Sequence, residues 1–234
     1  MKSLFYKYDL SVDHAYIMRI KGNRQSERYA IRCAQSCERV GQPYIMWDAF
    51  DGTQEGVEIQ YPEHAKNESI YKILKLSDHY ITKAEVACTL THLSVWLECA
   101  KIGKPVIILE HDAVMLRRFE QMDYLNSIVY LGGEEWVKKG WAITSVPPLG
   151  SDGNNYRFIC RAHAYVVDPA MAKNLLAYVL QHGIRGAPDY MMRFDLFNIT
   201  HQGLYAYDDY FHRDDTTIKN RISYDRPRNE NLER

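Results

Sequence analysis

The sequence lacks any long hydrophobic run. No stretch approaches the roughly 18 consecutive apolar residues that a membrane-spanning helix requires. The first twenty residues are interrupted by Lys2, Lys7, Asp9 and Asp13, so they contain no apolar segment of signal-peptide length. We therefore expect no integral membrane segment and no secretion signal. The pattern predicts a cytoplasmic protein.

An excess of charge of either sign is also missing. The 29 Lys and Arg residues against 30 Asp and Glu residues leave a formal net charge of −1, and no long block of like charge occurs. The total therefore does not indicate a strongly electrostatic partner such as nucleic acid or an anionic membrane. A neutral total is still compatible with a local basic groove.

Cysteines are few and do not form a recognisable framework. Their number is five, which is odd, in a chain of 234 residues that is too long to depend on disulfides. Cys33 and Cys37 lie one helical turn apart, but no second pair at zinc-site spacing accompanies them. We interpret the cysteines as ordinary thiols of a reduced protein.

The chain contains no repeat, low-complexity segment or Gly/Ser-rich linker, which predicts a single domain. Apolar residues alternate between strand-like and helix-like spacing. Strands are predicted over 14–20, 43–50, 105–109, 127–133 and 162–168, and helices over 24–40, 83–102 and 169–183. A short helical piece is expected after residue 112, whereas 53–80 is polar and hard to assign. Alternating strands and helices favour an α/β sheet with parallel members.

The clearest helix start lies at Thr82, which is followed three residues later by Glu85. This spacing predicts a capping box, in which the two side chains satisfy free amide groups at the helix start. The helix is expected to end at Gly103.

An unusual polar triplet follows the strongest apolar strand. Val106–Leu109 runs directly into Glu110, His111 and Asp112. Charges removed from water must be paired, hydrogen-bonded or bound to a metal. In α/β sheets, ligands bind beyond the carboxyl ends of the strands, where this triplet lies. Oxygen ligands suit Mn²⁺ or Mg²⁺, and a bound diphosphate supplies further oxygens.

The triplet also has a purely structural interpretation. The carboxylates would then cap a helix beginning near residue 117 or form ion pairs with Arg117 and Arg118. An acid-x-acid pattern is common enough by chance that the triplet alone does not decide between the two.

The surrounding residues resemble glycosyltransferase family 25. The family carries an acidic E-x-x-C pattern and a Ser-His pair on a helix, followed by an apolar strand that ends in Glu-Asp-Asp. The matching positions here are Glu85, Cys88, Thr91-His92 and the triplet Glu110-His111-Asp112. Thr91 replaces the usual serine, and His111 replaces the middle acid.

Other segments agree with the family in the same order. The stretch 15–53 resembles its opening strand, Arg-bearing helix and Asp-Gly turn, and "IVYLGG" resembles its Leu-Gly strand. "AHAYVVDPAMAKNLL" resembles a later segment that precedes an Asp after a Pro, here Asp189. The resemblance covers about 15–205, although 53–80 matches poorly.

The resemblance implies a GT-A-like, Rossmann-like mixed sheet flanked by helices, as a single domain over 1–215 with a polar tail over 216–234. It implies an inverting sugar transfer from a UDP-sugar to a hydroxyl acceptor. A divalent cation, Mn²⁺ or Mg²⁺, would stabilise the diphosphate leaving group as a Lewis acid. Asp112, with Glu110 or His111, is the implied metal set.

Inversion also needs a carboxylate that deprotonates the attacking hydroxyl. Asp189 is the first candidate for this base, because it follows a Gly-Ala-Pro turn at the matching position. Asp195 and Asp208 are rivals, and any of the three is also explained as a surface carboxylate.

The donor is expected to contact Arg28, Asp51, Gly52, His92 and Glu110. A guanidinium suits phosphate oxygens, and the Asp-Gly turn permits close approach of the nucleoside. Each position has a simpler explanation: Arg28 on a solvated helix face, Asp51-Gly52 as a bare turn, and His92 as a hydrogen-bonded core histidine.

The acceptor stays open at the level of sequence. A glycan such as lipopolysaccharide fits, and so does a hydroxymethylated base in DNA, given the Arg- and Tyr-rich end of the chain. That aromatic end is equally explained by one half-buried strand.

His111 motivates a further alternative, a non-catalytic sugar-nucleotide or glycan-binding relative. A metal-dependent phosphoesterase is disfavoured because no second ligand cluster is present. The sequence does not indicate an oligomeric state.

Overall fold

The computed structural model describes residues 9–54, 57–75, 81–132, 159, 162–193, 195–201 and 205–208. Within these residues the chain forms one α/β unit. The elements are β1 (Ala15–Arg19), α1 (Arg24–Val40), β2 (Tyr44–Asp48), a 3₁₀ turn (Glu63–Ala65), α2 (Ile70–Ile73), α3 (Lys83–Ile102), β3 (Val106–Leu109), β4 (Ala113–Met115), β5 (Ile128–Tyr130), β6 (Ala164–Val167), α4 (Pro169–His182), α5 (Pro188–Met191), β7 (Ile199–His201) and β8 (Ala206–Asp208).

Six strands form one mixed sheet in the order β2-β1-β3-β6-β5-β7, which confirms the predicted fold class. β1 runs parallel to β2 and β3, and β7 runs parallel to β5. β6 is antiparallel to both of its neighbours, so the other five strands all point the same way. Their carboxyl ends share one edge of the sheet, which we call the carboxyl edge.

Helices cover both faces of the sheet. β3 is buried on each side: Val106 and Ile108 belong to the core under α3 and α4, while Ile107 and Leu109 belong to the core under α1. A strand buried on both faces reads as a continuous apolar run, as the sequence does here. The arrangement is a Rossmann-like α/β domain with helices on both sides.

The helix ends explain why the elements stop where the sequence predicts. Thr82 and Glu85 form the predicted capping box, and Gly103 closes α3 in the left-handed conformation. Asn23 caps α1 by accepting hydrogen bonds from the amides of Gln25 and Ser26. These caps satisfy backbone groups that have no partner inside the helix.

One predicted element is wrong. The residues after the triplet form strand β4 instead of a short helix, and β4 pairs antiparallel with β8. Ala113, Val114 and Met115 are all buried, so the ladder and the core together override local helix propensity. No helix begins near residue 117 in the described chain, which removes the helix-cap explanation of the triplet.

Part of the predicted organisation lies outside the described residues. This applies to the boundary at residue 215, to the tail over 216–234 and to Phe194, Tyr210 and Phe211 of the aromatic end. Among the described cysteines, none of Cys33, Cys37, Cys88 and Cys99 forms a disulfide bond. None of the helices described here is both long and apolar enough to cross a membrane.

Candidate active site

The carboxyl edge gathers most of the polar residues that the sequence singled out. The triplet Glu110, His111 and Asp112 follows β3 directly, and the start of α1 lies beside it because β1 is the neighbour of β3. His163 precedes β6 and His201 ends β7 at the same edge. The edge is therefore the part of the molecule where a ligand would meet several functional side chains.

The side chain of Glu110 lies on the α3 side of the sheet. Ile108, two residues earlier, lies on the same side, because side chains alternate between the two faces along a strand. Its Oε1 lies 3.2 Å from Nε2 of His92 and 3.9 Å from Sγ of Cys88. Its side chain is 27% exposed, so the carboxylate is reachable from outside.

Burial alone would raise the pKa of Glu110, because it disfavours the charged form. The hydrogen bond with His92 and the electrostatic influence of His92, His111 and His163 outweigh that effect. The net result is a Glu110 pKa below its ordinary value, so the carboxylate is held ionised.

His92 is completely buried and hydrogen-bonded on both sides, as expected for a core histidine, and it also faces the site. Its Nδ1 lies 2.7 Å from Oη of Tyr165, and Trp96 donates to the same Oη from Nε1 at 2.9 Å. Every group is satisfied if Tyr165 donates to Nδ1 and His92 donates from Nε2 to Glu110. A chain of hydrogen bonds therefore runs from the core to the carboxylate of Glu110.

His111 turns toward α1 instead of α3. Its ring stacks on Tyr29 at a centroid distance of 5.9 Å, and its Nδ1 lies 3.4 Å from Oγ of Ser26. The guanidinium groups of Arg28 and Arg32 each lie 5.0 Å from the centroid of the Tyr29 ring. Tyr29 thus brings two cations and His111 together next to the start of α1.

Asp112 also lies on the α1 side. Its main-chain carbonyl accepts a hydrogen bond from Arg32 at 3.4 Å. The pKa of the Cys33 thiol is raised by its hydrogen bond with Cys37, by burial and by the charge of Asp112, which places this carboxylate near α1. The three members of the triplet therefore contact different neighbours.

Two carboxylates this close in sequence have the chemistry that Mn²⁺ or Mg²⁺ prefers. In the part of the chain that the structure describes, however, the group with three ligand atoms within 4.8 Å of one another is Cys88, His92 and Glu110. Glu110 is the one residue common to the predicted metal set and this cluster.

A second set of rings lies beside Glu110. The backbone amide of Glu110 donates to the carbonyl of His163 at 2.8 Å. The His163 ring packs directly on Gly132, where an added Cβ would lie 2.1 Å from its Nε2. Tyr130 contacts both His163 and His201. Gly132 in the "IVYLGG" segment is therefore required for close ring packing at the carboxyl edge.

Asp51 and Gly52 lie after β2, and both have structural tasks. Oδ1 of Asp51 accepts hydrogen bonds from the amide of Thr53 at 2.9 Å and from its hydroxyl at 2.6 Å. Gly52 packs against the start of α3, where an added Cβ would lie 2.3 Å from the carbonyl oxygen of Lys83. The turn fixes the backbone against α3, and a nucleoside contact stays a prediction.

Replacing Gly52 with alanine is expected to lower the free energy of unfolding by about 1–3 kcal/mol, because the new methyl group meets backbone that cannot rotate away. Chemical denaturation would measure the change. Gly186→Ala is the matched control, since its Cβ would lie at an ordinary 3.5 Å from Tyr190. A Gly52→Ala protein as stable as the control would contradict the close packing at this turn.

Asp189 lies in the first turn of α5, and its Oδ1 accepts the amide of Tyr190 at 3.2 Å. The preceding loop is attached to α3, since the Thr89 hydroxyl donates to the carbonyl of Gly186 at 2.7 Å. Thr89 follows Cys88 in sequence. Asp189 is thus carried by a segment anchored on the helix that supplies Cys88 and His92.

The two rival carboxylates have different surroundings. Asp195 forms a two-pronged ion pair with Arg193, with distances of 2.9 and 2.5 Å. This pairing raises the pKa of Arg193. Asp208 ends β8 opposite Ala113, the residue after Asp112, so its backbone runs along the triplet.

The aromatic end of the chain divides into packed and exposed rings. Tyr205 packs edge-on against Phe119. The guanidinium carbon of Arg117 lies 4.2 Å from the centroid of the Tyr205 ring. Tyr207 and Tyr190 are 41% and 49% exposed. Exposed rings of this kind are available for stacking on an acceptor ring, whereas the Tyr205 ring packs against other parts of the fold.

Sequence reasoning missed Tyr165, Trp96, Tyr29 and His163. The sequence predicts Tyr165 only as part of a strand, yet its register opposite Ile108 brings it beside His92. The alternation within "AHAYVVD" indicates which face Tyr165 occupies, but the antiparallel pairing of β6 with β3 is a long-range feature. No local pattern identifies it.

Comparison with protein-family sequence profiles identifies one family, glycosyltransferase family 25 (LPS biosynthesis protein), over residues 13–145. This match spans more than half of the 234 residues and includes β1, α1, α3 and the triplet. A comparison with curated protein sequences gives no match. The matched segment thus contains the triplet and the start of α1 beside it, and the chain belongs to glycosyltransferase family 25.

Proposed function

We propose that this glycosyltransferase moves a sugar from a UDP-sugar to a hydroxyl acceptor with inversion at the anomeric carbon, and that the reaction depends on Mn²⁺ or Mg²⁺. The main support is the position of Glu110, His111 and Asp112 at the carboxyl edge beside the start of α1, where ligands bind in α/β folds.

The donor diphosphate is expected beside α1. The free amides at the start of a helix favour anions, and His111, Arg28 and Arg32 add positive or hydrogen-bonding groups around Tyr29. Arg28 donates from Nη2 to the Tyr29 hydroxyl at 2.9 Å, which orients its guanidinium on this side. These contacts support a role for Arg28 in phosphate binding.

Asp112 and Glu110, or His111, would hold the cation, with diphosphate oxygens completing its coordination. When bound, the cation supplies Lewis-acid stabilisation of the leaving diphosphate. Glu110 is suited to this task because it is held ionised and is partly exposed. His92 orients Glu110 through the Nε2 contact, and Tyr165 and Trp96 fix His92 in turn.

Asp189 is the proposed base that removes the proton from the acceptor hydroxyl. Its attachment to α3 through Gly186 supports a fixed position near the same helix. The exposed ring of Tyr190 follows Asp189 directly and offers a stacking surface for a sugar ring. A lipopolysaccharide-type glycan is the proposed acceptor, in agreement with the description of the family.

The first test is the melting temperature with UDP, with and without Mn²⁺, and then with EDTA. A ligand at a hundredfold excess over its Kd stabilises by about 2.7 kcal/mol, which for a domain of this size corresponds to roughly 5–10 °C. We expect a rise that requires both UDP and Mn²⁺ and disappears with EDTA. ADP in place of UDP is the control for base selectivity. No shift under any of these conditions would contradict the proposed donor and cation.

A further inference from the structure

Cys88, His92 and Glu110 present three different ligand atoms to one point at the carboxyl edge. The distances are 3.2 Å between Nε2 of His92 and Oε1 of Glu110, and 3.9 Å between Sγ of Cys88 and the same oxygen. All three atoms lie within 4.8 Å of one another. A tetrahedral ion with bonds of about 2.0–2.3 Å separates its ligand atoms by roughly 3.3–3.8 Å. The two distances to Oε1 of Glu110 are already close to this range.

The fold fixes the cluster from two elements. Cys88 and His92 lie one turn apart on α3, so their side chains share one helix face. Glu110 approaches from the end of β3. A site with two ligands on a buried helix and one at a strand end needs little rearrangement to accept an ion.

Nδ1 of His92 has a neighbour, the hydroxyl oxygen of Tyr165, that can accept its hydrogen when Nε2 binds an ion. A ligating imidazole normally binds through one nitrogen while a neighbour holds the other, and here Tyr165 holds Nδ1 at 2.7 Å. The lone pairs of Nε2 and Oε1 would repel at 3.2 Å unless a proton or a cation lies between them. A cation can therefore take the place of the proton once Nδ1 of His92 carries the hydrogen toward Tyr165.

We propose that Cys88, His92 and Glu110 form a binding site for a thiophilic divalent cation of the zinc class. A sulfur, a nitrogen and an oxygen ligand together suit zinc, whereas Mg²⁺ and Mn²⁺ favour oxygen ligands. Cys88 is partly buried and the Glu110 side chain is 27% exposed, so the ion has a route in and an open side for water.

The site shares Glu110 with the cation site of the proposed function. Resting on that function, we expect Zn²⁺ to inhibit Mn²⁺-supported transfer, because the zinc-class ion engages the carboxylate that the donor's cation would use. The zinc-class site itself does not depend on this consequence.

The test titrates the reduced, metal-free full chain with Cd²⁺ and follows the ultraviolet charge-transfer band of cadmium bound to thiolate. We expect one equivalent of Cd²⁺ to produce the band, and Zn²⁺ to remove it by competition. Cys88→Ser should abolish the band. Cys99→Ala is the matched control on the same helix. The buried thiol of Cys99 bonds to the carbonyl of Lys104, and Cys99 does not belong to the cluster.

Glu110→Gln provides a second variant, which should keep the thiolate band but require at least tenfold more Cd²⁺. A missing band in the wild type, or a band that survives Cys88→Ser, would overturn the site. Transfer in Mn²⁺ without any Cd²⁺ band would refute this site and leave the proposed function standing. A Cd²⁺ band without transfer from any UDP-sugar would support the zinc-class site and refute the proposed function.

Discussion

Asp112→Asn is expected to lower the rate of sugar transfer by about 10²–10³-fold or more while leaving the fold intact. The carboxylate is proposed to stabilise the diphosphate leaving group through the cation, and losing one such contact in the transition state has an effect of this size. Asparagine keeps the shape of the side chain, so the strand end and β4 should be unaffected. Initial rates with a UDP-sugar panel in Mn²⁺ measure the loss.

The control for this variant is Asp13→Asn, which removes a carboxylate that pairs with Lys104 at the opposite edge of the sheet. It should transfer sugar at the wild-type rate. Melting temperatures of both variants within a few degrees of the wild type would establish that the fold is kept. Wild-type transfer by Asp112→Asn would refute Asp112 as a cation ligand.

Much of the fold was predictable because it depends on local patterns. The bounds of α1 follow from an amphipathic run that ends at Gly41, and the start of α3 follows from the Thr82 and Glu85 capping box. β3 follows from its continuous apolar residues. Each of these features is decided by residues that lie within one or two turns of each other.

The helix predicted after the triplet was wrong for a long-range reason. Ala113–Met115 is short and carries no strong preference, and its conformation is decided by pairing with Ala206–Asp208, some ninety residues later. Such a pairing leaves no trace in the local sequence. The same pairing brings Asp208 near the triplet, which the sequence alone did not indicate.

The candidate site was predicted in its location but not in its internal arrangement. The triplet was correctly expected at the mouth of the sheet, because the strand ending at Leu109 leads there. The partners of Glu110 were not predicted, because they depend on the antiparallel strand β6, which brings Tyr165 opposite Ile108 and against His92. Local residues thus determine where the site lies, and non-local pairing determines what each side chain contacts.

The arrangement also gives His111 a physical explanation. In this position His111 stacks on Tyr29 and lies close to Ser26, so it contacts α1 while Glu110 contacts α3. A histidine in the middle of the triplet is therefore compatible with catalysis, because the acids on either side keep separate positions. Transfer activity would exclude the non-catalytic alternative.

Asp189→Asn is expected to lower kcat by about 10²–10⁴-fold, the range found when a general base is removed. The amide cannot accept the proton of the acceptor hydroxyl, but it keeps an oxygen for the amide of Tyr190. Donor binding should be unchanged, since Asp189 does not belong to the proposed diphosphate site. The rise in melting temperature with UDP and Mn²⁺ should therefore match that of the wild type, while initial rates fall.

Asp195→Asn is the matched control, because Asp195 lies in the next loop and its carboxylate is engaged by Arg193. It should retain transfer, apart from a small loss of stability from the exposed ion pair. Asp208→Asn tests the remaining candidate for the base, because Asp208 ends β8 opposite Ala113. Loss of kcat in Asp208→Asn together with normal rates in Asp189→Asn would move the base to β8, so that the proton would leave on the triplet side of the acceptor instead of the α5 side.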